Sequence, residues 1–61
     1  MEWEKKTNET GKAYMWFCRY RDMGWERSIA KVVQKHGGNS ATLFRWSSKY
    51  DWVRRAEAYD D

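Results

Sequence analysis

Apolar residues recur along the chain with the period of a helix. From Lys12 onward, Ala13, Trp16, Phe17, Tyr20 and Met23 follow the i, i+3, i+4, i+7 rule, and Gly24 interrupts them. This predicts a first helix over 12–23. Ile29, Val32, Val33 and His36 make a second stripe within Glu26–His36, and Gly37 behind it suits the left-handed conformation that ends a helix. Asn39 or Ser40 can accept a hydrogen bond from the free N–H groups of a third helix, which runs to about Tyr50 with Leu43 and Trp46 inward. Asp51 is the expected cap of a fourth, Trp52 to about Tyr59, where Trp52, Ala56 and Tyr59 share a face. Residues 1–10 show no period and read as a flexible N-terminal arm with Trp3 as its docking point, leaving 11–61 as the domain. No stretch alternates as a strand would. The expected fold is all-α, a small bundle of three or four helices.

Composition narrows the function classes. A chain of 61 residues buries only about 60% of the surface of its unfolded form, which argues against a large enclosed active site. Five Trp, four Tyr and two Phe can fill a small core, and Trp25, Trp46 and Trp52 are assigned to it. The lone Cys18 excludes an intrachain disulfide and reads as a reduced, buried thiol of a cytosolic protein. No apolar run approaches the roughly 20 residues of a membrane span. The charged start, Met1-Glu-Trp-Glu-Lys-Lys, is unlike a signal peptide. The net charge of +3 hides an asymmetry: residues 12–55 hold ten Lys and Arg against three Asp and Glu, whereas acidic residues dominate the ends. A basic body suits a polyanionic partner, although the same charge could serve only solubility.

The second and third helices with their short connection form the informative constellation. A helix-turn-helix needs a small or β-branched residue where its helices cross, a Gly four residues later in the turn, and apolar residues in the next helix facing back. Val33, Gly37, then Leu43 and Trp46 meet that pattern across Ile29–Lys49 without insertion, so the bundle is expected to contain a helix-turn-helix of the homeodomain-like kind. His36 stands where an aliphatic residue is usual, Gly38 where an apolar one is common, and Val33 is larger than the usual Ala. These departures predict a looser turn or a tilted third helix.

The strings Tyr20-Arg-Asp-Met-Gly-Trp-Glu-Arg-Ser-Ile29, Val32-Val33, Leu43-Phe-Arg-Trp-Ser-Ser48 and Trp52-Val-Arg-Arg-Ala-Glu-Ala-Tyr-Asp60 resemble the N-terminal helix-turn-helix domain of small proteins of tailed phages and prophages. Many of these are similar to terminase small subunits. The resemblance covers roughly residues 13–60. It implies a DNA-packaging initiator in the cytoplasm of the bacterial host, which binds the phage genome and presents it to the terminase large subunit. It also implies homo-oligomer formation through a region absent from this chain, so the sequence reads either as an isolated domain or as a smaller relative without that part.

Within such a frame, the third helix would enter the major groove of double-stranded DNA with Asn39, Ser40, Ala41, Phe44, Arg45 and Ser48 toward the bases. Arg45 can donate two hydrogen bonds to a guanine edge, Asn39 or Ser40 can bond bases or phosphate, and Ala41 or Phe44 can touch a thymine methyl. Arg27, Ser28 and Lys31 at the start of the second helix, with Lys49, Arg54 and Arg55 on the other side, are the expected phosphate contacts. Arg45 could equally be a solvated helix residue, and Arg54 and Arg55 could pair with Glu57 or Asp51.

Catalysis finds no support in the residues. There is no phosphate-cradling Gly-rich loop, and Cys18 and His36 stand apart on different helices. His36 lacks companions at metal-ligand spacing and reads as a partly buried polar cap. The chain is expected to be no enzyme and to need no cofactor or metal. Two alternatives stay open: a small phage regulator or excisionase-like factor, and a protein-interaction module using an apolar patch of Phe44, Trp3 and Tyr50.

Overall fold

The computed structural model describes residues 1–61. It contains four helices: α1 (Gly11–Arg21), α2 (Ile29–His36), α3 (Ser40–Lys49) and α4 (Trp52–Asp60), with a 3-10 turn, Gly24–Glu26, between α1 and α2. The fold is all-α, without strands. Three of the four helices begin on a side chain that accepts a hydrogen bond from the first turn. Thr10 accepts from Ala13 N, Ser28 from Lys31 N and Asn39 from Thr42 N. Ser28 therefore sets the start of α2 three residues later than the expected Glu26, and the intervening residues form the 3-10 turn. Asp51 departs from the expected cap. It lies in the left-handed region at φ 54°, and its side chain caps nothing; only its carbonyl accepts, from Arg55 N at 3.0 Å.

Three residues, Gly37, Gly38 and Asn39, join α2 to α3. Gly37 takes φ +77° and its N–H closes α2 on the Val33 carbonyl, a conformation that costs glycine little. At Gly38 the reason is space: a Cβ there would fall 2.7 Å from Cη2 of Trp16. The Trp16 ring thus covers the place where an apolar side chain was expected. His36 meets the same ring edge-on, with centroids 6.3 Å apart. Contrary to expectation, His36 is exposed.

The core is built from Ala13, Phe17 and Tyr20 of α1, Ile29 and Val32 of α2, Leu43 of α3, Tyr50, and Trp52 and Ala56 of α4, with Trp3, Trp16, Val33 and Trp46 packed around it. Phe17 and Tyr20 flank Trp52 at 6.0 and 5.5 Å between centroids, so the aromatic payload of the sequence does fill the interior. Two assignments are corrected. Trp25 is not a core residue: it stands 91% exposed on the 3-10 turn. Cys18 is free but only half-buried.

The N-terminal segment is the largest departure from the sequence reading. Instead of forming a flexible arm, residues 2–9 are fastened to α4 by Arg55, which is 1% exposed. All five N–H donors of its guanidinium are used. Nε donates to Glu2 O, Nη1 to Glu9 Oε2 and Tyr50 O, and Nη2 to Glu4 O and Glu9 Oε1, all at 2.7–3.1 Å. Glu9 is itself buried, and its carboxylate also accepts from Lys6 N. The guanidinium lies 4.2 Å above the Phe17 ring. Removing one member of such a buried pair strands the other charge, typically at about 3–5 kcal/mol. Trp3 docks as expected, its carbonyl accepting from Tyr14 Oη and its ring edge-on to Tyr59.

Candidate nucleic-acid interface

α3 is held to the core from one side. Leu43 is 1% exposed and Trp46 is half-buried, so the opposite side projects into solvent. That side carries Ser40, Ala41, Phe44, Arg45 and Ser48, all exposed, with Asn39 exposed at the entrance. Five of the six residues assigned to base contact therefore share one accessible side of α3, and Asn39 stands exposed at its N-terminal end, lining the adjoining groove. Arg45 forms none of the ion pairs of the protein, which leaves its guanidinium free. Asn39 is partly committed: its Oδ1 accepts from Thr42 N at 3.0 Å, and its amide NH2 remains for an outside acceptor.

The residues assigned to phosphate divide. Lys31 and Lys49 are exposed; Lys31 Nζ reaches back to the Glu26 carbonyl and Lys49 Nζ lies 5.3 Å from the Tyr50 ring. Ser28 is half-buried and occupied as the cap of α2. Arg54 is exposed and paired with Glu2 at 2.8 Å, a surface bond that an approaching phosphate can displace. Glu2 raises the Arg54 guanidinium above its usual range, through the hydrogen bond first.

Two of the expected phosphate contacts are corrected. Arg55 is the buried clasp already described. Arg27 keeps only 9% of its side chain exposed; it holds both oxygens of Asp60 at 2.7 Å and donates to the Arg21 carbonyl at 2.8 Å. That bidentate bond lifts the Arg27 guanidinium and holds the Asp60 carboxyl below the ordinary carboxylate value. Both arginines are structural cations, made so by acidic residues far away in sequence.

Beside the exposed side of α3 lies a groove of about 250 Å³, lined by Lys12, Trp16, Gly38, Asn39, Thr42, Leu43 and Trp46. It brings Lys12 of α1 and Thr42 of α3 next to Asn39, two residues that the sequence reading did not select. Thr42 was open to discovery as the residue three positions after the cap. Lys12 was not, because only the packing of α1 on α3 brings it there. The alternative apolar patch does not assemble as expected: Phe44 is 59% exposed, but Tyr50 is buried and Trp3 lies against Tyr59.

No family model, curated protein or solved structure matches this chain. No helix is long and apolar enough to cross a membrane.

Proposed function

We propose that this chain binds double-stranded DNA with sequence preference, using α2 and α3 as a helix-turn-helix and the outward side of α3 as the reading surface. The observation that carries the reading is the division of α3: Leu43 buried and Trp46 half-buried behind, with Ser40, Ala41, Phe44, Arg45 and Ser48 exposed in front. Arg45 is the leading base contact, because it is free and can grip a guanine edge with two donors, worth about 1–3 kcal/mol of discrimination. Lys31 and Lys49, joined by Lys12 and Arg54, replace Arg27 and Arg55 as the cations that hold the backbone and give affinity without reading sequence. The similarity of the sequence strings to phage terminase small subunits extends the proposal to the DNA-recognition part of a genome-packaging initiator, acting with a terminase large subunit.

Selection of duplexes from a random pool tests the reading, followed by salt titration of the recovered motif. A recovered motif with affinity falling steeply as salt rises is expected. No duplex binding at low salt would sink the proposal.

A further inference from the structure

A second surface shares no lining residue with the α3 groove. Its centre is Trp25, 91% exposed at the middle of the 3-10 turn, with Val53 of α4, 56% exposed, beside it. Together with Tyr20, Arg27, Glu57 and Asp60 they line a depression of about 200 Å³. An adjoining depression of about 350 Å³ shares Trp25, Glu57 and Asp60 and ends at Asp61.

The turn that carries the exposed indole is held by built contacts. Arg27 N donates to Gly24 O at 3.1 Å, the Arg27 guanidinium is locked on Asp60 and the Arg21 carbonyl, and Lys31 Nζ binds the Glu26 carbonyl at 3.1 Å. Both ends of the turn are therefore tied down, and little ordering is needed when a partner covers the ring. Trp is also among the residue types most enriched where binding energy concentrates. The core is already complete without it, since Trp52, Phe17 and Tyr20 fill the interior.

Charge selects the occupant. Glu57 and Asp61 line the depressions with Trp25 and form no ion pair, while Arg27 and Asp60 neutralise each other. Such a rim repels phosphate, which disfavours stacking of Trp25 on nucleic acid. A second copy seated symmetrically would press two acidic rims together. We propose that this surface docks a protein segment in which Lys or Arg flanks an apolar side chain, the apolar group covering Trp25 and Val53 and the cations meeting Glu57 and Asp61. The chain then has two separate faces, one for a polyanion and one for a basic protein partner, and the second stands whether or not the first binds DNA.

Selection from a displayed library of random 12-residue peptides tests this, with Trp25→Ala and Glu57→Gln/Asp61→Asn as counter-targets whose helix content is checked by circular dichroism. Enrichment of peptides with Lys or Arg beside an apolar residue is expected. Trp25→Ala should lower their affinity by about tenfold or more, and the charge-neutral double variant should lower it several-fold and flatten its salt dependence. Should Trp25→Ala fail to fold, the double variant alone decides. Absence of enrichment, acidic consensus peptides, or binding that neither folded variant weakens would overturn the proposal. So would concentration-dependent dimerisation abolished by Trp25→Ala, which would assign the surface to a second copy.

Discussion

Arg27, Arg45 and Arg55 look interchangeable in the sequence, yet each has a different fate because each meets different neighbours. Arg45 forms no ion pair in the fold, so its cation is available; Arg45→Ala should reduce preference among duplexes while leaving the melting temperature nearly unchanged, measured by competition binding and thermal denaturation. Arg27→Ala should instead lower the melting temperature, since it strips Asp60 of both charge-assisted hydrogen bonds and frees the 3-10 turn. The same ion pair has a pH signature. Because Asp60 titrates below its usual value in the folded protein, the stability it contributes is present above the unfolded value of about 3.9 and is lost as pH falls through the lowered one. Melting curves of the native protein and Asp60→Asn should therefore differ at neutral pH and converge in strong acid; a constant gap across that range would contradict the assignment. Gly38 responds to space rather than charge. Gly38→Ala drives a methyl into the Trp16 ring and should cost about 1–3 kcal/mol in urea denaturation.

At the scale of elements, the sequence was most legible where local signals agree. α3 combines a good cap, Asn39, with Leu43 and Trp46 at helical spacing, and its observed bounds lie within a residue of those expected. The start of α2 was read too early because the cap at Ser28 was overlooked; Trp25 was assigned to the core separately, because a small domain has few other large residues to fill it. Asn39 has two duties that can be separated. Asn39→Ala should destabilise α3 by about 1 kcal/mol through loss of the cap, whereas Asn39→Ser retains a capping oxygen and removes only the amide. Equal losses of duplex affinity from the two variants at full helix content would assign Asn39 to DNA contact; loss confined to Asn39→Ala would assign it to capping alone.

At the scale of the whole molecule, what the sequence hid is long-range. An arginine on α4 reads as solvated; helical spacing puts Arg55, unlike Arg54, on the face of Trp52 and Ala56, but nothing local supplies the carboxylate that its burial requires. Only the arrival of Glu9, 46 positions away, makes burial of that cation tolerable. For the same reason the periodicity of α1 suggested a domain starting at residue 11, although the folded unit takes in the segment before it. A protein shortened to residues 11–61 loses Glu9 and the carbonyls of Glu2 and Glu4 together, and should be largely unfolded at 25 °C by circular dichroism, since small domains have only about 5–15 kcal/mol to lose. A cooperative transition close to that of the intact protein would refute the role given to Arg55.

The fastening of the first residues by one of the last also orders events during synthesis. While a ribosome still holds the stretch around position 55, Glu9 has no cation to meet, and Phe17 lacks both the guanidinium above it and the Trp52 ring beside it. Until the stretch through Arg55 is free of the ribosome, Phe17 stays unsheltered and the N-terminal segment has nothing to close upon.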